Sequence, residues 1–479
     1  MLRAFAAILL LAMAVVGCDR KQAPKVEPDI ARFIAAKRLQ VQQTAAAQTN
    51  GLPKTVWRIF DAAEQDDFSR TTNLYYGTLH KEAGRFATPA TSVGPVGRLW
   101  QQTLQFLGLR PKYWPGLDTE AWSAIHEVNG MSEVYQVWDH KWMRRFGSDI
   151  IDSIPSNSIY FGGTDGGRFI VTALSESHAT GRPFFTLTQN QLADGTYLDY
   201  LRFMYGALIN TPTANDSQQA FQSYLQEAQR RKETNKLKPG ENVQVVSGRV
   251  QVSGHTAVME INGLLVYNIF TNNPNHEFFI EESFPLDWMY PHLAPHGLIL
   301  KLNREPLTEL NEDIVRRDHE YWTGYAKELI GDWLTPATSV ETVCAFSKKV
   351  YLNKDLGGFT GDADYARNER VQKSYTKLRV AIAEVYSRRA IQKQSRDPTE
   401  SMSVEADFAF KQALALGPVE GDVAERYARL LTIQGRRHEA LQVAQTYKAF
   451  NPKAAYAREL IEYIQGLEAH PSTNQPSLK

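Results

Sequence analysis

Residues 156–177 read Ser-Asn-Ser-Ile-Tyr-Phe-Gly-Gly-Thr-Asp-Gly-Gly-Arg-Phe-Ile-Val-Thr-Ala-Leu-Ser-Glu-Ser. A short β-like run over 158–161 meets a loop that holds four glycines between 162 and 167. A helix-like run follows, with Phe169, Thr172 and Ala173 at helical spacing. Strand, glycine loop, helix is where α/β proteins bring a ligand to the edge of a sheet. Gly163, Thr164 and Gly166 could offer backbone amides to an anion, and Arg168 a fork of donors. The loop lacks the Lys-Ser/Thr of a P-loop and the Gly-x-Gly-x-x-Gly spacing. Asp165 would repel a phosphate unless a cation intervened. The competing reading makes Asp165 a helix cap and the glycines a tight turn. Asp194 carries the same pair of readings. It is either a second carboxylate on that rim, for a cation or acid–base chemistry, or a cap before Gly195.

Outward from this loop, residues 151–305 alternate strand-like and helix-like runs. Strands are expected at 158–161, 184–188, 277–281 and 298–302, with a small hairpin at 243–252. Helices are expected at 194–205, 216–236 and 256–271. The alternation predicts an α/β domain with a mixed or parallel sheet covered by helices. Residues 51–150 read as helices. Val56, Ile59, Phe60 and Ala63 form one apolar stripe, and Val134, Val137, Trp138 and Trp142 another. Glu281-Glu282 and the segment 283–291 could wall a pocket at the rim or pack as a crossover. Residues 306–370 are expected to be a helical connection.

After residue 370 the pattern is helical only. Ala406, Phe410, Ala413 and Pro418 recur as Ala440, Ala444, Tyr447 and Pro452 at a 34-residue offset, the difference between 440 and 406. Ala428 fits the intervening first helix. These residues resemble the second-helix pattern of tetratricopeptide repeats, with small residues where two helices cross. The resemblance implies an all-α array over 371–467. Such an array offers a groove for a protein or peptide partner, or acts as a brace.

Residues 154–202 and 250–302 resemble the soluble tail of bacterial membrane proteins related to protein O-mannosyltransferases. The likeness rests on the Ser158-Ile159-Tyr160-Phe161 strand leading into the loop and on Tyr197-Leu198-Asp199-Tyr200-Leu201-Arg202. It continues in a helix followed by an aromatic strand at 276–280 and a leucine-rich strand at 297–302. It implies association with envelope glycosylation. The membrane-embedded transferase part of that family has no counterpart here, and its catalytic residues are not carried over.

The first residues resemble a bacterial lipoprotein signal. Arg3 precedes an apolar run that closes on Val15-Val16-Gly17-Cys18. The resemblance implies cleavage after residue 17, lipid on Cys18 and a place on the periplasmic face of a membrane. Residues 18–50, polar and rich in alanine and glutamine, read as a tether with room for a helix over 30–47. The other cysteine is Cys344, so a lipidated Cys18 leaves no disulfide. The 53 basic and 53 acidic residues give no net charge, which argues against a nucleic-acid partner. His292 and His296 are separated by Pro295 and lack a zincin glutamate, so no metal is expected. No cofactor is expected either. Residues 468–479 read as a tail.

The expectation is a membrane-anchored, non-enzymatic binding protein that works through its repeats. The alternative is a binder of sugar phosphates or nucleotide sugars, or a transferase-related enzyme, using the loop that ends at Arg168.

Overall fold

The structure is a computed structural model that describes residues 27–46, 52, 54–86, 120–175, 183–238, 240–246, 249–281, 286–392 and 401–469. Cys18, residues 87–119 of the stretch expected to be helical and residues 282–285 lie outside the described residues.

Within residues 18–50 the helix expected over 30–47 is α1, Pro28–Ala46. Ile30, Phe33, Ile34 and Val41 of α1 are buried in the main core. Lys37 lies in the middle of this face and is buried too. A lysine at the centre of the apolar stripe hides the stripe from hydropathy. α2, Lys54–Glu64, and α3, Phe68–Phe86, pack together, and α4, Glu120–Val137, lies against α1 and α3. α5 spans His140–Ser153. The stripe expected from Val134 to Trp142 is broken, because Asp139 caps α5 by accepting the Trp142 amide at 3.3 Å. Val137 is consequently exposed, whereas Trp142 is buried.

β1, Ile159–Gly162, runs into a π-turn, Gly166–Ile170, and one turn of helix, α6, Val171–Leu174. β2, Phe185–Thr188, leads to α7, Gly195–Tyr205, and α8, Ala214–Glu233. The hairpin β3, Asn242–Val246, and β4, Arg249–Ser253, pairs antiparallel as expected. α9, His255–Asn272, precedes β5, Phe278–Ile280. β6, Leu293–His296, and β7, Ile299–Leu302, close the sheet. Its order is β2-β1-β5-β7-β6. The first three strands are parallel, with Ile159 opposite both Phe185 and Phe278, and β7 and β6 are antiparallel. β6 was not expected, because Pro295 argues against a strand. Pro295 is tolerated because β6 is the sheet edge, where a missing donor costs no ladder bond.

The opposite edge, β2, is closed by tyrosines of α7. Thr188 N–H donates to the Tyr197 hydroxyl at 2.6 Å. The Tyr205 hydroxyl accepts from Thr186 N–H at 3.3 Å and donates to its carbonyl at 3.2 Å. Side-chain hydroxyls thus replace a neighbouring strand, which keeps the edge from pairing with another chain.

α10, Glu312–Ile330, α11, Val340–Ser347, and the short α12, Ala363–Arg367, connect the sheet to a helical array. The array runs α13, Glu369–Gln392; α14, Ser401–Leu416; α15, Gly421–Ile433; α16, Arg437–Phe450; and α17, Ala455–Ala469. α13 pairs with α14, and α15 with α16. α13 also lies on β6 and β7, and α11 covers α14 and α16. Buried apolar residues from Ile30 to Ile464 form one continuous cluster. The boundaries expected at 50, 150, 305 and 370 therefore run through a shared core. The general class, an α/β sheet domain joined to helices and a helical array, is the observed one. Among the described residues no helix is long and apolar enough to cross a membrane.

Candidate functional site

The glycine loop holds an anion, and the anion is the protein's own. Glu281 follows β5, beside the C-terminal end of β1, and is 1% exposed. Its Oε2 accepts the amides of Gly163 at 2.9 Å and Thr164 at 2.8 Å. The Thr164 hydroxyl donates to Oε1 and accepts the Gly167 amide at 2.9 Å. The geometry is that of an anion nest built from successive amides. Burial pushes the Glu281 carboxyl above its usual range, against the pull of Thr164 and the two amides. A free phosphate would have to displace this side chain.

The other loop residues expected to face a ligand are engaged locally. Asp165 is exposed and pairs with Arg168 at 2.8 Å. The Arg168 guanidinium lies 4.2 Å from the centroid of the Phe169 ring. Gly166 is buried under Trp138. Asp194 is the N-cap of α7 and accepts the Thr196 amide at 2.9 Å. Asn190, just before it, donates to the Gly163 carbonyl at 3.0 Å, so the ends of β1 and β2 do meet on one rim. The carboxylates of Asp165 and Asp194 each serve a local partner there.

Beside the loop, Phe169 packs edge-on to His126 with centroids 5.7 Å apart. His126 Nδ1 shares a 2.8 Å hydrogen bond with the Tyr75 hydroxyl, and Tyr75 stacks on Trp122. Burial, and next the Arg168 charge, push the His126 imidazole below its usual value. Gly130 permits this approach, since a Cβ there would lie 2.1 Å from the Phe169 ring.

A second polar cluster ties α1 to the body. Lys37 Nζ lies 2.7 Å from Glu127 of α4 and 2.6 Å from the Tyr200 hydroxyl, which donates to Glu127 at 2.8 Å. All three are buried. Sequence reading passed over Lys37 because it sits among alanines and glutamines. A lone lysine inside an otherwise apolar helical face is the signal that would have found it.

A further candidate site lies between α10, the end of α13 and the start of α14. It is a cavity of about 650 Å³ with Leu310, Val315 and Met402 as apolar lining. That volume is typical of ligand and peptide-side-chain sites. Arg316 lines it and is exposed. His319 faces Glu405 across it at 3.1 Å. Arg389 lines it as well, 8% exposed. Its Nη1 donates to the Leu307 carbonyl at 2.9 Å, and its Nη2 to those of Leu293 at 3.1 Å and Pro291 at 3.3 Å. Burial lowers its guanidinium from the usual value. Gln392 and Ser401, on either side of the undescribed 393–400, complete the lining.

Below this cavity, Arg379 of α13 meets Asp318 of α10 at 2.8 Å and donates to Gln412 of α14 at 2.8 Å. Tyr386 donates to the same Asp318 oxygen at 2.9 Å. The buried network fixes the three helices that wall the cavity.

The residues singled out for repeat packing differ in burial. Ala406, Phe410, Ala413, Ala440 and Ala444 are fully buried, and Ala428 nearly so. Pro418 is buried just past α14, Tyr447 is half-buried against Gly421, and Pro452 is exposed in the turn after α16. Among the described residues no three His, Cys, Asp or Glu side chains cluster to hold a metal. Comparison of the chain with protein-family models, curated proteins and solved structures finds no match.

Proposed function

We propose that the chain is a lipid-anchored envelope protein that binds a segment of a partner protein in the cavity between α10, α13 and α14. One observation carries this reading: the sheet's glycine rim is filled by Glu281, while the cavity at the head of the helical array is lined by mixed charge. Apolar lining with Arg316, His319 and Glu405 around it suits a short charged and apolar peptide. The array itself is of the tetratricopeptide type in this reading. The 34-residue recurrence and the buried small residues at the helix crossings support it. Cys18 is the lipidated residue, and the resemblance of 154–202 and 250–302 to transferase tails makes envelope glycosylation the system served.

Deleting the array would unfold the shared core, so surface charge reversal is the informative test. The wild type and an Arg316→Glu, Glu312→Arg variant would be purified from solubilised membranes. Both side chains are exposed, and reversing them costs the fold about 1 kcal/mol or less. Loss of one defined co-purifying protein from the variant is the expected result. Identical co-purification would remove the cavity from the account.

A further inference from the structure

We propose that the face around the N-terminus of α1 is held near a lipid bilayer, because only eight residues separate the anchoring cysteine from Glu27, which is fastened to the body. This rests on the lipoprotein reading of Cys18. The sequence alone suggested a tether over 18–50 with room for a helix over 30–47; the structure packs that helix against the main core. α1 starts at Pro28 and is locked to α4 and α7 by the buried Lys37, Glu127 and Tyr200 group. Its first residues are fastened too: Arg144 of α5 pairs with Glu27, and with Asp29 at 2.9 Å.

Residues 19–26 are all that separate Cys18 from Glu27. However that stretch is arranged, nine Cα steps reach no further than about 30 Å. The start of α1 therefore stays within about one domain radius of the lipid surface. The array points elsewhere. Lys141, one turn before Arg144, pairs with Asp362 at 2.9 Å, beside the start of α13. α13 has 24 residues, about 36 Å of helix. The turn between α15 and α16 lies by its far half, where Arg429 meets Glu384 at 2.6 Å. The α1–α5 face is thus the part nearest the anchor, and the end of α15 lies by a point of α13 about 20 Å along the helix from its start.

The test couples Cys18 of the mature chain to vesicles of phosphatidylcholine with a maleimide headgroup lipid, which Cys344 is too buried to join. A donor dye sits at position 32 or 438, both exposed, and acceptor dyes sit on lipid headgroups. Transfer should be higher from 32 than from 438. Inserting twenty Gly/Ser residues after position 22 should abolish the difference. Equal transfer from the two positions in the unaltered chain, or a difference that survives the insertion, would overturn the proposal. Fractionation of cells carrying wild type or Cys18→Ala tests the anchor separately. Wild type in the soluble fraction would refute the anchor, and the membrane-facing role with it, even if the vesicle geometry held.

Discussion

Glu281 and Gly167 stand so close that a Cβ on Gly167 would lie 1.9 Å from the Glu281 carboxyl carbon. The glycine is therefore required by the carboxylate, and the carboxylate by the amides of Gly163 and Thr164. Glu281→Ala leaves two loop amides without their acceptor and should destabilise the protein by about 2–4 kcal/mol. Glu281→Gln keeps one accepting oxygen and should cost about 1 kcal/mol. Gly167→Ala should be as damaging as Glu281→Ala alone, yet cost much less when added to Glu281→Gly, because the collision is gone. Urea unfolding of the four variants checks the coupling. Strict additivity would contradict the nest.

Lys37 fixes the first helix. Lys37→Ala strands Glu127 as a buried charge and should cost about 3–5 kcal/mol, whereas Lys37→Met with Glu127→Leu should recover most of that. Removing residues 1–26 should leave the melting temperature unchanged. Removing residues 1–46 should lower it sharply, since Ile30, Phe33, Ile34 and Val41 leave the core. Thermal unfolding of the two truncations distinguishes a docked helix from a tether.

Acid sensitivity follows from His126 and His296. Burial lowers both below 6.5, so the unfolded chain binds their protons more readily than the folded one. That binding removes stability as pH falls below about 6.5. Glu281 has the opposite sign: its raised carboxyl favours the folded state in acid, an advantage lost as pH rises through its folded value. His126→Gln should therefore flatten the fall in stability just below pH 6.5, measured by urea midpoints. An unchanged slope in that variant would show that His126 is not the group responsible.

The parts of the fold legible in the sequence were those in which one face repeats cleanly. β1, β2, α7 and α9 lie within a residue or two of their expected positions, and the residues around Ala406 and Ala440 are helical as expected. Strand β6 was missed because it carries a proline allowed by its edge position, and the docking of α1 on the body was missed because the partners of Lys37, Glu127 and Tyr200, lie 90 and 163 residues away. Long-range partners are invisible to local pattern, and so is edge position. The same limit applied at the candidate sites. The glycine loop was recognisable as an anion nest, but the identity of its anion depended on β1 and β5 being neighbours. The cavity by Arg389 depends on α10 meeting α13 and α14, and no motif announces that.

The second cysteine offers a simple check on packing. Cys344 is buried in α11, and burial raises its thiol, so it should resist maleimide in the native protein and react only on unfolding. Mass spectrometry of the native Cys18→Ala chain after thiol labelling reads this directly. Rapid native modification would mean that α11 opens readily from α14 and α16.

The central claim is that the cavity between α10, α13 and α14 receives a partner segment. A photo-crosslinking amino acid at position 308, which lines the cavity and is exposed, tests it in intact cells against the same residue at 230, exposed on α8. The account predicts one discrete adduct from 308, none of that mass from 230, and its loss when Arg316→Glu and Glu312→Arg are added. Equal adducts from both positions, or none from 308, would contradict it.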